Sequence, residues 1–409
     1  MREAIFLITL TKSAIFFAIY SILGKEYLGI NESSTFIIFN ILFIALSFIF
    51  ILGETFIKKV APLRKINIFF YLLPVLTSFI YLVESPTSEN SNRYFIIYLA
   101  FSFPAIFIGT YVAANKLMTT MVKWLDVLSI ILTLGLIASL PKTIYLNQVN
   151  IGGASYQTIS YISSFAYSIC LFSVFFGDQY PRFHFFRSSI YSIITYFLII
   201  IQVISLFISG GRGGFVVVLL VSIILIYFKF KQRMNFGKVI FGTIVIIFSV
   251  FLLSDFLPKE VNTILVKGAN RIFSYITTSG IDMSETSGRD IVYSKMWKLI
   301  KERPVLGYGI FKYVDTSKVY PHNIFMEILL QGGLIFLLFW LITLFSLFNR
   351  IGRIIKIDKT NLFLIPFGVY PFTELLFSGS YLMSALFWFV IAYIFNYKLQ
   401  KLSVNQRIT

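Results

Sequence analysis

Residues 188–208 read SSIYSIITYFLIIIQVISLFI, a run that contains no Asp, Glu, Lys, Arg or His. A helix needs about 20 consecutive apolar residues to cross the hydrocarbon core of a bilayer. Because lipid offers no hydrogen-bond partners, a crossing segment must satisfy its own backbone, which a helix does. This stretch therefore predicts a transmembrane α-helix, and its repetition along the chain decides the fold class.

Twelve such hydrophobic segments can be counted in the 409 residues, of which 57% are hydrophobic and only 13% charged. Soluble domains carry about 25% charged residues. We therefore predict an all-α integral membrane protein, a single polytopic domain with about twelve transmembrane helices and no internal repeat. The segments lie near 4–23, 35–53, 66–83, 94–114, 127–141, 158–177, 188–208, 215–228, 239–256, 323–348, 361–377 and 382–396.

A long polar insertion, residues 257–322, separates the ninth and tenth segments and offers the most room for a polar active site. Its first part, Lys259 to Ile276, has an apolar face and predicts a helix lying on the membrane surface. Such a helix can guide an anionic lipid-linked substrate or simply anchor the loop to anionic lipid. Its second part predicts a helix over Ile291 to Arg303, ended by Pro304.

The distribution of Lys and Arg predicts the orientation in the membrane. If the N-terminus is cytoplasmic, the segments on the cytoplasmic side hold 20 of the 35 basic residues, whereas the short loops on the other side hold four. The insertion adds ten more, but long loops are translocated largely regardless of charge. We therefore expect both termini in the cytoplasm, the insertion outside it and an uncleaved first helix.

The net charge of +17 fits basic cytoplasmic loops of a membrane protein better than nucleic-acid binding, since no basic run with interleaved aromatic residues lies outside the membrane segments. The single cysteine, Cys170, lies inside a hydrophobic segment. One cysteine excludes a disulfide framework within the chain and a metal site built on cysteines. A cysteine-based metal site and nucleic-acid binding are therefore set aside.

The first stretch that can carry chemistry is the glycine-rich turn Ser209–Gly214, between the seventh and eighth segments. Gly210, Gly211 and Gly213 leave backbone N–H groups able to bind an anion, and the next helix starts there with its positive dipole end. Arg212 adds a guanidinium fork that suits phosphate. The alternative is a tight turn that needs glycine, with Arg212 reaching lipid headgroups.

The second stretch is Ser287–Asp290, which has the spacing of a capping box and opens the second helix of the insertion. Arg289 would sit in the first turn, where the helix dipole disfavours a cation unless an anion lies close. That anion can be the pyrophosphate of a substrate, a lipid headgroup or a carboxylate of the chain. These alternatives stay open on the residues alone.

The third stretch is His322-Asn323, at the start of the tenth segment, with Asn323 as the expected N-cap. A helix N-terminus and nearby basic residues lower the pKa of His322, so that a neutral imidazole is expected to accept a proton from an attacking hydroxyl. Glu327, one turn further, can orient His322 or a substrate hydroxyl. Lys12 and Glu374 also lie within hydrophobic segments, where charges are costly, and can pair with each other or with polar neighbours, or relay protons in a transporter.

Together these stretches resemble the O-antigen ligase and Wzy-type polysaccharide polymerase family. Ser209–Gly213 is similar to the small-residue S-G-x-R-G turn of that family. Arg289, Trp297 and the stretch Arg303–Gly309 resemble its R…W…P-hhh-G-hG pattern, where h is hydrophobic. His322-Asn323, followed by Gln331-Gly332-Gly333-Leu334, resembles its H-N…x-G-hh signature.

The resemblance implies a membrane glycosyltransferase of the GT-C type, with undecaprenyl-pyrophosphate-linked oligosaccharide as donor and neither metal nor other cofactor. Arg212, Arg289 and His322 would be the catalytic residues, with Gly210, Gly211, Gly213, Asn323 and Glu327 as substrate-binding residues. We expect a polymerase that extends a lipid-linked repeat unit outside the cytoplasmic membrane of a bacterium, in contact with membrane lipids and with a chain-length regulator as a possible partner. A ligase acting on lipid-A core and a flippase of lipid-linked oligosaccharide are the alternatives.

Overall fold

The computed structural model describes most of the chain outside the segment 232–258 and a few shorter stretches. The described residues are 1–28, 32–57, 68–84, 88–145, 155–231, 259–273, 276–277, 280–281, 289–318 and 321–398. Within them the chain folds into sixteen α-helices, numbered here in chain order, a few short 3₁₀ turns and one two-residue antiparallel ladder, Ile276–Thr277 with Gly280–Ile281.

The helices divide into a membrane bundle and shorter pieces. They are α1 Arg2–Leu10, α2 Lys12–Leu28, α3 Glu32–Ile57, α4 Phe69–Glu84, α5 Glu89–Ala114, α6 Met118–Val122, α7 Leu125–Tyr145, α8 Tyr156–Phe176, α9 Ser189–Ser209, α10 Arg212–Lys231, α11 Lys259–Phe273, α12 Arg289–Glu302, α13 Tyr313–Ser317, α14 Ile324–Ile357, α15 Leu364–Phe377 and α16 Ala385–Asn396.

Eight helices among the described residues are long and apolar enough to cross a membrane, and α1 with α2 forms a ninth, bent candidate. α4 and α16 are shorter apolar helices. Eleven of the twelve predicted segments coincide with helices, and the predicted segment 239–256 lies outside the described residues. The predicted class, an all-α integral membrane protein, is confirmed.

The first predicted span is not one straight helix. α1 and α2 meet at Thr11 at an angle of 89°. Lys12, which is 1% exposed, donates to the carbonyl of Ala100 and lies 4.2 Å from the centroid of the Phe101 ring. A buried ammonium needs such partners, and α5 supplies both. The predicted segment 4–23 is therefore formed by two helices with a bend at Thr11, and Lys12 contacts α5 directly after the bend.

α8 lies at the centre of the bundle, with most of its side chains buried against α7, α9, α10 and α15. α5 packs against α16 so closely that a Cβ on Gly109 would lie 2.6 Å from the carbonyl oxygen of Phe389. Small residues at such crossings let helix backbones approach in lipid. Cys170 is buried within α8, as its segment predicted.

α14 is broken by Gly332 and Gly333, whose backbone angles are not helical. In an intact helix the N–H groups of residues 334 and 335 would bond to the carbonyls of residues 330 and 331. Here the N–H groups of Leu334 and Ile335 donate to Pro304 and Val305, at 2.8 and 3.5 Å. The break therefore leaves two carbonyls within α14, on residues 330 and 331, in need of other donors.

Segment 304–309, in the second half of the insertion, supplies those donors. The N–H of Tyr308 donates to Leu330 at 2.7 Å, and the N–H of Gly309 donates to Gln331 at 2.8 Å. This exchange of four hydrogen bonds, called here the backbone exchange, joins segment 304–309 to the break in α14. A Cβ on Gly333 would lie 2.2 Å from the carbonyl oxygen of Val305, so the two strands of backbone touch.

The residues after the backbone exchange are held on α4 and α5. The carboxylate of Glu84, the last residue of α4, accepts from the N–H groups of Ile310 and Phe311 at 2.6 and 2.9 Å. The carboxylate of Asp315 accepts from the hydroxyl of Ser91 at 2.7 Å, at the start of α5. The second half of the insertion is therefore fixed to the end of the bundle.

We expect Gly333→Ala to destabilise the protein more than Gly352→Ala in the same helix. Gly333 has φ 61° and ψ −156°, a region essentially restricted to glycine, where other residues cost about 1–3 kcal/mol. A Cβ on Gly352 meets nothing within 4 Å, and alanine in a helix interior is favoured over glycine by about 0.5–1 kcal/mol. Thermal unfolding in detergent measures both, and an unchanged midpoint for Gly333→Ala would contradict the backbone exchange.

Candidate active site

The glycine-rich turn joins α9 and α10 in two residues. Gly210 has φ 64°, and its N–H donates to the carbonyls of Leu206 and Phe207 at 3.2 and 3.0 Å. This left-handed cap ends α9. α10 begins two residues later, at Arg212, so that the first N–H groups of α10, which have no partner within the helix, lie directly at the turn.

The glycines of the turn are packed against the start of α8. A Cβ on Gly211 would lie 2.2 Å from the Cβ of Ser160, and one on Gly213 would lie 2.0 Å from the hydroxyl oxygen of Tyr161. The hydroxyl of Ser160 donates to the carbonyl of Gly211 at 2.8 Å. Close packing is therefore one physical reason for glycine at these positions, and it brings the positive end of α10 against α8.

A cavity of about 400 Å³ opens at this turn and is lined by the turn and by the ends of five helices, α8, α10, α11, α12 and α15. Gly210, Gly211, Arg212 and Gly213 line it, together with Arg289 from the first turn of α12. A third guanidinium, that of Arg271 at the end of α11, lines it as well. Within the described residues, the lining contains no Asp or Glu.

Arg271 was predicted only as part of the polar face of a surface helix. In the structure its carbonyl accepts from Nε of Arg212 at 2.9 Å, and its guanidinium lies 3.8 Å from the centroid of the Tyr156 ring. α11 reaches this position because Gly268 packs against Phe207, where a Cβ would lie 1.8 Å from the carbonyl oxygen. The amphipathic pattern of α11 predicts the helix but not the place where it packs. Sequence reasoning therefore missed that Arg271 lines the cavity.

His322 lies at the end of the insertion and has a left-handed backbone, with φ 54°. Its side chain is half-buried. Burial lowers the pKa of His322, and the positive charge of Arg289 lowers it further. Both effects disfavour the imidazolium. The expected neutral imidazole is therefore favoured, and it lies within electrostatic reach of a cavity arginine.

Asn323 caps α14, as predicted. Its side-chain oxygen accepts from the N–H groups of Phe325 and Met326 at 3.0 and 3.2 Å, and its amide nitrogen donates to the carbonyl of Leu376 at 3.4 Å. Asn323 thereby ties the start of α14, next to His322, to the end of α15. The adjacent residue of α15, Phe377, lines the cavity.

Glu327 lies outside the cavity lining and is 1% exposed. Its carboxylate accepts from the hydroxyls of Tyr313 and Ser380, at 2.9 and 2.5 Å, and from the amide of Gln331 at 3.4 Å. These bonds fasten α13 and the turn before α16 to α14. A role of Glu327 in orienting His322 or substrate stays a prediction.

The two other intramembrane charges have separate partners. Lys12 is bonded to α5 at the bend after α1, as described above. Glu374 is hydrogen-bonded to Tyr370 on the same helix and lines a separate cavity of about 120 Å³. Among the described residues, no group of three or more His, Cys, Asp or Glu is arranged to hold a metal ion.

Residues 197–341 match the model of a family described as O-antigen ligase. This stretch, about a third of the chain, is similar to that family and is called here the O-antigen ligase-like domain. The family resemblance drawn from the sequence is thereby confirmed, and it indicates an enzyme of the ligase type in a multi-pass membrane protein. No curated protein and no solved structure matches the chain.

The O-antigen ligase-like domain runs from the middle of α9 to the middle of α14. It therefore includes the glycine-rich turn, the three cavity arginines, His322 and both halves of the backbone exchange. Glu84, Tyr156 and Phe377, which hold or line the site, lie outside it. The cavity is thus built jointly by the domain and the rest of the bundle.

We expect the cavity to bind inorganic pyrophosphate, because its three guanidiniums and the N-terminus of α10 favour an anion. A hydrogen bond to a charged group contributes about 1.5–3 kcal/mol, so Arg212→Ala should weaken binding by about 10- to 100-fold. Calorimetric titration in detergent measures this. Arg353→Ala, an exposed arginine far along α14, is the control, and equal affinity of Arg212→Ala and wild type would contradict the assignment.

Proposed function

We propose that the protein is a polysaccharide polymerase that transfers a glycan from undecaprenyl pyrophosphate to a hydroxyl of a lipid-linked repeat unit. The observation that supports this most is the convergence of Arg212, Arg271 and Arg289 on one cavity. His322 is not among the residues that line this cavity, but it lies close enough to Arg289 for that positive charge to lower its pKa. This arrangement lies inside the O-antigen ligase-like domain, a context of lipid-linked polysaccharide chemistry.

The arginines act on the leaving group. When the bond between the sugar C1 and the pyrophosphate oxygen breaks, the electron pair stays on the pyrophosphate and its negative charge rises. Arg212 and Arg289, with the N–H groups at the start of α10, stabilise this charge before and during bond breaking. The mechanism assigns this task to fixed guanidiniums and needs no metal ion.

His322 acts on the acceptor. Its neutral imidazole takes the proton of the acceptor hydroxyl while the hydroxyl oxygen forms the new bond to C1. Attack from the face opposite the pyrophosphate inverts the configuration at C1. The proton leaves on the imidazolium and is released to solvent, so that the reaction yields the extended glycan and the free lipid pyrophosphate.

The ends of the bundle support a site outside the cytoplasm. The cavity lies where α8, α10 and α12 begin. The opposite end, where α10 and α14 finish, carries basic residues such as Lys231, Arg353 and Lys356, as the cytoplasmic side of a membrane protein does. We therefore propose a bacterial cytoplasmic-membrane protein with both termini in the cytoplasm.

A ligase is the second candidate, favoured because residues 197–341 match a family described as O-antigen ligase. It would use the same cavity and the same donor but transfer the glycan to lipid-A core instead of another repeat unit. A flippase would move the lipid-linked glycan without breaking the pyrophosphate bond. The three functions therefore differ in acceptor and product, and the predicted chain-length regulator concerns only the polymerase.

We expect Arg212→Ala and Arg289→Ala to lower glycan transfer by about 10²–10³-fold, the loss typical for one preorganised charge-stabilising donor. Purified protein in liposomes is given lipid-pyrophosphate-linked repeat units, and products are separated on a gel. Arg353→Ala is the control for an arginine outside the cavity. Normal product from both cavity variants would contradict the proposed site.

The same assay separates the candidates. A ladder of lengths from repeat units alone identifies a polymerase. Transfer that requires added lipid-A core identifies a ligase. Movement of intact substrate across the bilayer with no transfer in either case identifies a flippase and refutes the enzyme.

We expect the acid limb of the kcat/KM profile to lie below pH 6.5. The neutral form of His322 is the base, and burial together with Arg289 lowers its pKa from the ordinary value of about 6.5. The base form therefore persists as the pH falls through 6.5. Initial rates between pH 5 and 8 measure this, and a midpoint at or above 6.5 would exclude His322 as the titrating base.

A further inference from the structure

A second cavity, of about 340 Å³, is lined by residues of α10, α14, α15 and α16. Its lining is apolar apart from the hydroxyl of Thr373. This cavity is called here the hydrocarbon groove.

The hydrocarbon groove continues the arginine cavity along two helices. On α10, Val216 lines the arginine cavity, and Leu220 and Ile224 line the groove at spacings of four residues. On α15, Phe377 lines the arginine cavity and Thr373 lines the groove, again four residues apart. Residues four apart lie on one face of a helix, about 6 Å along its axis. The two cavities therefore lie one helical turn apart on both helices.

Two glycines leave space in the hydrocarbon groove. A Cβ on Gly352 of α14 would meet no atom within 4 Å, and a Cβ on Gly368 of α15 would meet only a methyl carbon of Val390, at 3.9 Å. Glycine weakens a helix interior by about 0.5–1 kcal/mol relative to alanine. Close helix packing does not explain these glycines, whereas at Gly109 and Gly213 it does.

We infer that the hydrocarbon groove binds the part of the donor's polyprenyl chain nearest to the pyrophosphate, and this rests on the proposed function. The arginine cavity is cationic and the hydrocarbon groove is apolar, so the pair matches a phosphate headgroup followed by a hydrocarbon chain. The groove thereby sets the orientation of the donor and presents its C1 to His322.

A larger apolar cavity, of about 780 Å³, lies between α4 and α14 beside segment 304–309. No Lys or Arg is among its described lining residues. It therefore lacks the cationic partner for a phosphate headgroup that the hydrocarbon groove has. For this reason the donor chain is assigned to the groove between α10 and α14.

Gly368→Leu tests the inference, because a leucine side chain fills the space above Val390. Gly368 lies nine residues from Phe377, about 13 Å along α15, so only a donor chain longer than this reaches it. We expect Gly368→Leu to raise KM for a polyprenyl donor about tenfold or more. The KM for a donor with an alkyl chain much shorter than 13 Å should stay within twofold of wild type.

Gly53→Leu is the matched control, since a Cβ on Gly53 of α3 also meets nothing within 4 Å and lies away from both cavities. Size-exclusion chromatography checks that each variant folds. If Gly368→Leu does not fold, Ile224→Trp on α10 replaces it, with Ile193→Trp on the exposed face of α9 as its control.

The outcomes separate the inference from the proposed function. A rise in KM confined to the long-chain donor supports the groove. An equal KM for the long-chain donor in the groove variant and the wild type overturns the inference about the groove, even if transfer is normal. An equal rise in KM for both donors overturns it as well. Loss of transfer by wild type with both donors refutes the proposed function instead.

Discussion

The backbone exchange between segment 304–309 and the break in α14 is the constraint on which the site depends. Two N–H groups and two carbonyls left by the break find partners on segment 304–309 instead of within the helix. At membrane depth an unsatisfied backbone group costs several kcal/mol, so the break and the segment stabilise each other. The exchange fixes α12, which ends next to segment 304–309 and carries Arg289, to α14, which begins next to His322.

The arginine cavity brings three positive charges together, and its described lining contains no carboxylate. Their arrangement is held by other contacts. Arg212 donates to a carbonyl, Arg271 lies on an aromatic ring, and α11 is docked by the close contact of Gly268 with α9. These contacts hold the three guanidiniums at one cavity in the folded protein. Under the proposed function, such a fixed arrangement is what charge stabilisation of a pyrophosphate requires.

The sequence could predict the parts whose causes are local. Spans follow from hydrophobic length, the cap at Asn323 from its position before an apolar helix, and α11 and α12 from helical periodicity. The 89° bend at Thr11 could not be predicted, because it depends on a carbonyl and a ring that α5 supplies to Lys12. Arg271 was missed for the same reason, since its position is set by packing between α9 and α11.

Glycine in this chain illustrates how one sequence signal covers three physical causes. Gly210 and Gly333 adopt backbone conformations that favour glycine, Gly213 makes room for Tyr161, and Gly368 leaves open space. Two glycine-containing motifs contact each other: Gly307-Tyr308-Gly309 in the insertion and Gly332-Gly333 in α14. The need for glycine in each motif comes from this contact, which the sequence of either motif alone does not show. A Cβ on Gly307 would lie 2.6 Å from the backbone of Gln331, so these motifs are the two sides of one contact. Sequence reasoning treated them as separate signs of a family, whereas in the structure each motif requires the other. The break in α14 is possible because segment 304–309 accepts and donates the hydrogen bonds that an unbroken helix would form within itself.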